Sequence, residues 1–331
     1  MEIKAADVAK LRQMTGAGMM DCKKALVEAE GDYERAKEII REKGKLVAAK
    51  RADRETSEGA VIAKVNGDKA IIVGLGCETD FVAKNAEFQA LAEAIAEVAI
   101  ANFPADKDAL MACALADGRT VEMAVTEQTG KTGEKHVIVA YETVEAPFIS
   151  AYMHKITGKL AAVVGFNKAF DEQTAKGVAM QVASMNPVAV SAESVPQNVI
   201  DVELKTATEK TKEELVQKAV DAALNKAGIN PAHVDSEAHI ESNQAKGWIT
   251  AEQAEQAREI IKTVSAEKAA NLPEQMVANI AKGRLQKFFK EQTLEEQGYQ
   301  MGDGKTPVKD VVKAADAEAK ILAFKRISLA D

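Results

Sequence analysis

The chain has 331 residues, 47% hydrophobic and 28% charged, the balance of a folded protein with room for two or three cores, which excludes wholesale disorder. Its net charge of −8 argues against a nucleic-acid binder that works by neutralising phosphates over a broad surface. Cys22, Cys77 and Cys113 have no metal-ligand spacing and the four histidines are dispersed, so reduced thiols and no metal site are expected.

The first residues, M-E-I-K-A-A-D-V-A-K, hold no apolar core and predict no export signal. No stretch reaches the apolar length needed to cross a bilayer, so a cytoplasmic protein is expected. Residues 1–45 read as three short helices. Val8 and Leu11 mark the first, ended by T-G-A-G (15–18), and Cys22, Ala25, Leu26 and Ala29 mark the second. Gly31 breaks the chain, Asp32 caps a third helix with Tyr33, Ala36, Ile39 and Ile40, and Gly44 is expected to close it. Met19 and Met20 are adjacent, so at least one is hard to bury in so small a core, and exposed Met suits a binding patch. The Gly-rich turn lacks the spacing of a phosphate loop, as do the G-K-T triplets at 130–132 and 304–306.

Residues 46–57 read as a solvated, partly helical linker. From 58 the period changes to two: Val61, Ala63 and Val65 alternate, N-G-D (66–68) turns, and A-I-I-V-G-L-G-C (70–77) is a buried strand. T-D-F-V-A-K-N (79–85) follows as a tight turn from which Asp80 and Phe81 project. Asn85 caps the next helix, with Phe88, Leu91, Ile95 and Val98 on one face. From residue types alone, Phe81 is expected to fold back into its own core. Residues 120–125 fit a strand or a short helix, 129–135 a loop, and 136–142 a strand that belongs to a subdomain spanning 58–146. A second block, 147–199, repeats the order of strand pair (148–154, 159–166) then helix (175–185, ended by Asn186-Pro187), which hints at a duplication. Residues 200–292 are helix formers, with Leu215, Ala219, Ala222 and Ala223 on one face. A Thr250–Gln253 capping box precedes Ala254, Ala257, Ile261 and Val264, and Pro273 suits a first turn ahead of Val277, Ile280, Ala281 and Phe288. This predicts a protruding antiparallel arm inserted in the second subdomain. Its Ala-rich seam serves equally an internal hairpin or a homodimer. A helix from 306 and a strand at 321–329 complete the second subdomain over 293–331.

No nucleophile stands beside a base and no acid pair has a defined spacing. His154 is the one candidate near a turn, and a lone His after an apolar strand is more often structural. Binding rather than bond chemistry is expected. L-R-Q-M-T-G-A-G-M-M-D-C-K-K-A-L (11–26) and C-E-T-D-F-V-A-K-N (77–85) resemble the two signature stretches of the translation elongation factor Ts family. The likeness continues through K-T-G-E-K (131–135), A-Y-M-H (151–154), S-M-N-P…E-S-V-P (184–196) and L-P-E-Q-M-V…K-G-R-L-Q-K-F (272–288).

The resemblance implies an α+β fold: a three-helix ubiquitin-associated-like domain, two α/β subdomains with small antiparallel sheets, and a coiled-coil-like helical arm. It implies a guanine-nucleotide exchange factor for elongation factor Tu that binds the GDP form, expels GDP and leaves when GTP enters. No cofactor, nucleic acid or membrane is implied. Asp80 and Phe81, flanked by Thr79 and Val82, would insert near the partner's magnesium and phosphates. Met19, Met20 and Lys23 would grip its GTPase domain, with Gly133 and His154 in contact elsewhere. Two rivals are a ubiquitin-type interaction module and an enzyme using His154 or Cys77. The chain departs from the family at Gly74 and Gly76, where Glu and Asn are usual and a looser strand end is expected, at Thr132 for Ile, and at Lys155-Ile156. The arm is enlarged over about 205–270, and no C-terminal helical module is expected beyond the closing strand.

Overall fold

The computed structural model describes residues 3–330, and the chain divides into two compact units, one running to Val190 and resuming at Leu294, the other Ser191–Thr293. The first unit opens with α1 (Ala5–Thr15), α2 (Met19–Glu28) and α3 (Tyr33–Lys50) around Val8, Leu11, Cys22, Leu26 and Ala36. Asp32 caps α3 by accepting from the N–H groups of Glu34 and Arg35. Gly44, expected to close α3, instead lies buried inside it, and the helix runs on to Lys50. The reason is tertiary. A Cβ on Gly44 would stand 3.1 Å from the Thr126 carbonyl oxygen, and one on Gly130 would stand 3.1 Å from the Gly44 Cα. The two glycines let α3 and α7 (Val121–Thr132) cross nearly backbone to backbone, offsetting the roughly 1 kcal/mol that Gly costs inside a helix.

Two three-stranded antiparallel sheets follow. β1 (Glu58–Asn66) and β2 (Lys69–Cys77) form a hairpin over Gly67-Asp68, and β3 (Val137–Glu145) returns to pair with β2. β4 (Phe148–Met153) and β5 (Leu160–Phe166) form the second hairpin, and β6 (Ile321–Ser328) returns to pair with β5. In both, the hairpin's second strand is central and the intervening chain is helical: α4 (Asp80–Ala83), α5 (Ala86–Asn102), α6 (Lys107–Ala112) and α7 in the first case. Both central strands carry a register shift at a glycine, Gly74/Leu75 and Gly165/Phe166. The duplication hinted at by element order is thus present as topology.

Strand alternation builds the layers. Ile71, Val73 and Leu75 face Phe88, Ile95 and Val125, while Ala70 and Ile72 face Ala161, Val163 and Ile327 of the second sheet. Ala162, Val164 and Phe166 turn the other way, onto α8 (Glu172–Met185) and α13 (Val308–Ala315). The two sheets are therefore stacked face to face between two helical layers. Gly74 and Gly76 are packed, the reverse of a loose strand end: a Cβ on Gly76 would meet Val139 Cγ2 at 2.6 Å and Thr56 Cβ at 3.0 Å. The expected loop at 129–135 is half helix, because α7 continues through Gly130 to Thr132 and ends at Gly133, whose φ of 73° supplies the left-handed cap.

The second unit is a long α-hairpin. α9 (Gln197–Lys226) spans about 45 Å at helical rise. Its return limb is broken into α11 (Ala251–Ala270) and α12 (Glu274–Gln292), with α10 (Glu237–Ala245) at the turn. The Thr250–Gln253 capping box forms, and Pro273 stands at the N-cap of α12 rather than within its first turn. The buried face of α9 is offset by one residue from the expected one, leaving Leu215, Ala219 and Ala223 only partly buried at its edge. Val216, Val220 and Leu224 meet Ala254, Ala257 and Ile261, whereas Ala222 is exposed. The larger side chains four residues apart remove more apolar area from water than the alanines beside them. Ala254, Ala257 and Ala281 are fully covered within the chain.

Candidate functional site

The segment after β2 is a single helical turn, α4, rather than an open turn. Thr79 caps it by accepting from the Val82 N–H at 3.4 Å. Within one turn Val82 and Ala83 take the inward positions and pack on the first core, which leaves Phe81 outside. Phe81 is 85% exposed, so it does not fold back into its own core. Asp80 is partly exposed and pairs with Lys84 at 2.7 Å. The hydrogen bond from Lys84 holds the Asp80 carboxyl below its usual range, so it is ionised at neutral pH. A solvent-exposed i,i+4 pair of this kind contributes little to stability and is easily exchanged for another partner.

The base of this tip is clamped from two distant segments. The Glu134 carboxylate accepts from the Thr79 N–H at 3.1 Å and from its hydroxyl at 2.7 Å. The Glu78 carboxylate accepts from Arg51 Nη1 at 2.8 Å and from the Lys135 N–H at 2.6 Å. Burial opposes ionisation of Glu78, but Lys135 and Arg51 prevail and hold its carboxyl below the ordinary range. Lys135 Nζ in turn donates to the carbonyls of Ala52 (2.6 Å) and Arg54 (2.9 Å). Gly133 serves this clamp through its left-handed cap, which turns the chain so that Glu134 reaches Thr79. Thr132 supports the same turn, donating to the Gln128 carbonyl and accepting from the Glu134 N–H, both at 3.1 Å.

Met19 (50% exposed) and Met20 (64%) open α2 immediately after Gly18. A cleft of about 480 Å³ lined by Arg12, Met14, Met19, Glu87 and Lys131 brings the start of α2 to the first turn of α5, the helix that follows the tip. Lys131 Nζ lies 3.6 Å from the Glu87 carboxylate, and its stem covers Gly16, whose φ is 68°. Lys23 is exposed one turn further along α2. Thr79, Asp80, Phe81, Val82, Gly133 and Met19 are thus gathered in one region. His154 stands apart at the β4–β5 turn. Its Nδ1 lies 3.0 Å from Thr157 Oγ1, its ring meets Tyr152 edge-on, and Ile156 beside it is 91% exposed. Glu78, Glu134, Arg51 and Ile156 were not read from sequence as site residues, although Glu78 lies in the motif at 77–85, Glu134 in that at 131–135, and Ile156 marks a departure from the family. The clamp pairs are 27 to 57 residues apart, beyond any local spacing rule.

Cys77 is buried and its thiol donates to the Thr79 carbonyl at 3.3 Å. Burial, with Glu134 nearby, pushes its pKa up to about 12, the opposite of what a nucleophile requires. Among the described residues, no group of three or more His, Cys, Asp or Glu side chains is placed to hold a metal ion, and no helix is long and apolar enough to cross a membrane.

An aromatic turned outward on a clamped turn, and a pair of exposed methionines at the start of α2, present the features of a docking surface for another macromolecule. The family model for elongation factor Ts matches residues 78–331. The elongation factor Ts of Bacteroides thetaiotaomicron is 56% identical over 329 residues, covering 99% of both chains. Those of Christiangramia forsetii and Porphyromonas gingivalis are 42% and 39% identical, again over 99% of both chains. The chain belongs to the elongation factor Ts family.

Proposed function

We propose that this protein is the guanine-nucleotide exchange factor for elongation factor Tu, acting in the cytoplasm by binding alone, with no bond made or broken. The observation that carries the reading is Phe81, 85% exposed on a turn whose base is held by Glu134 and Glu78. A large apolar side chain held rigidly in water is favourable only if a partner covers it, and rigidity means little ordering entropy is lost on docking. In the proposed mechanism Phe81 wedges between partner side chains next to the nucleotide. Asp80, released from Lys84, engages polar groups there, with Thr79 and Val82 fixing their direction. Mg²⁺ demands near-ideal octahedral geometry, so a small displacement of its support weakens the metal and with it the diphosphate. Met19, Met20 and Lys23 of the three-helix domain (1–45) hold the GTPase domain from α2. The first subdomain (58–146) supplies the tip and the Gly133 turn, and the second (147–199 with 293–331) adds His154 and its neighbour Ile156. The arm, 200–292, is assigned no contact.

Binding of factor and nucleotide is reciprocal: if the factor weakens GDP by a given ratio, GDP weakens the factor by the same ratio, so entry of GTP releases it. The test is stopped-flow release of a fluorescent GDP analogue from elongation factor Tu. Strong acceleration supports the proposal. Tight binding with unchanged release would sink it and leave an interaction module of the ubiquitin-associated kind, to be checked by ubiquitin pull-down.

A further inference from the structure

Behind the tip lies a buried histidine that the docking surface does not include. His136 is 6% exposed. Its backbone N–H donates to Thr129 Oγ1 at 3.2 Å, its Nδ1 is 2.9 Å from the Glu134 carbonyl oxygen, and its ring centroid is 5.6 Å from that of Phe88. The tautomer follows from the partners. A carbonyl only accepts, and the Thr129 hydroxyl hydrogen is directed at the Val125 carbonyl (3.3 Å), so Nδ1 carries the proton. Nε2 is then a bare lone pair, and among the described residues it is the buried side-chain polar atom with no hydrogen-bond partner. A neutral ring tolerates this. A protonated one would bury an N–H donor and a charge with no acceptor.

The ring touches Glu134, one support of the tip, and Phe88 of the helix that follows it. Glu134, whose carbonyl takes the Nδ1 proton, gives its carboxylate to Thr79. Phe88 belongs to the first turn of α5, directly after the tip. We infer that His136 is a positioning residue of the exchange tip: neutral, it locks Glu134 and Phe88 beneath Thr79–Ala83, and protonation of Nε2 loosens that lock in mildly acidic solution. The inference rests on the exchange reading above.

The charged and titratable groups around the ring come from each element packed there. The 133–135 turn brings Glu134 and Lys135. The end of β2 brings Glu78, which is paired with Arg51 from the end of α3, and the neutral Cys77 thiol. α7 brings Lys131, paired with Glu87 of α5. Of these, Glu134 and Glu78 attract the imidazolium, yet burial outweighs them and lowers the pKa below the ordinary histidine value. With the folded pKa depressed, the loosened state binds protons more readily. The locked tip is therefore fully stable above about pH 6.5 and loses stability as pH falls from there towards the folded pKa.

The test pairs two readouts on the full chain between about pH 7.5 and about 5.5. In the free wild-type protein, the Thr79 and Glu134 amide resonances should shift with the same midpoint as the His136 ring. The inference is overturned if the ring titrates and those amides do not move. In GDP release from elongation factor Tu, the ratio of wild-type to His136→Asn acceleration cancels the partner's own titration. Asn keeps a donor near the Nδ1 position and does not titrate. That ratio should fall with pH, by at most about tenfold per unit for a single proton. A ratio independent of pH overturns the inference. If the wild-type protein accelerates release at no pH, the exchange reading fails, while the amide shifts still decide whether His136 locks the tip.

Discussion

Replacing Phe81 by alanine separates folding from function. Because the ring is 85% exposed, its removal takes almost no apolar area from the core, and the free protein should keep its stability within about 0.5 kcal/mol. Docking is different. Covering a phenyl side chain contributes roughly 1.5–3 kcal/mol, which corresponds to about a ten- to hundred-and-fifty-fold change in an equilibrium or a rate. Shifting a nucleotide-bound population by about four decades takes ~5.5 kcal/mol, so Phe81 cannot supply the whole effect, and a residual acceleration should survive in Phe81→Ala. The assay is the apparent second-order constant for GDP release by stopped flow, beside a thermal denaturation of the same preparation. Acceleration equal to that of the parent would refute the wedge. A large drop in melting temperature would refute the claim that Phe81 contributes nothing to its own core.

Other expectations follow from the supports of the tip. Glu134→Ala removes two hydrogen bonds to Thr79, and bonds to a charged group contribute roughly 1.5–3 kcal/mol each; amide hydrogen exchange should rise locally over residues 79–83 and GDP release should slow, and unchanged protection there would contradict the clamp. Gly76→Ala forces a methyl against Val139 and Thr56 and should cost about 1–3 kcal/mol by overpacking, read as a lower denaturation midpoint; an unaltered midpoint would mean the strand end can relax. The Cys77 thiol, with its pKa pushed up to about 12 by burial, should stay unlabelled by a thiol reagent at about pH 8 while the partly exposed Cys113 reacts. Since its folded pKa is raised, the Cys77 contribution to stability is complete below the ordinary thiol range and is lost as pH rises from about 9 towards 12. Rapid labelling of Cys77 in the native protein would refute its burial.

The local chemistry of the chain was largely legible in its residues. Alternation and turn residues gave β1 and β2 around Gly67-Asp68, and a single side-chain oxygen sufficed to place Asp32, Asn85 and Thr250 at helix starts. Such signals act within four or five residues, so short spacings carry them. The tip itself was read from sequence as the place where Asp80 and Phe81 project, although not as a turn of helix, and residue types alone would have put Phe81 in its own core. The exposure of Phe81 depends on Val82 and Ala83 finding a core built from β2, α5 and α7.

What the sequence by itself determined is therefore most of the succession of helices and strands, without α4, α6, α10 or the helical state of 121–132, together with several caps and the residue types that stand at the tip. Only the tertiary structure decided the rest. Gly44 looks like a helix end and Gly130 like part of a loop until the crossing of α3 and α7 requires both to lack a side chain. The inner face of α9 is set by the helix that packs on it, because several faces of an alanine-rich helix are apolar enough to be buried. Glu134 becomes a support of Thr79 across 55 residues, and His136 becomes a buried base through contacts with Phe88 and Thr129. The physical reason is common to all four. Burial and hydrogen-bond satisfaction are properties of the assembled surroundings, and a residue's type records what it can do but not which surroundings the fold will give it.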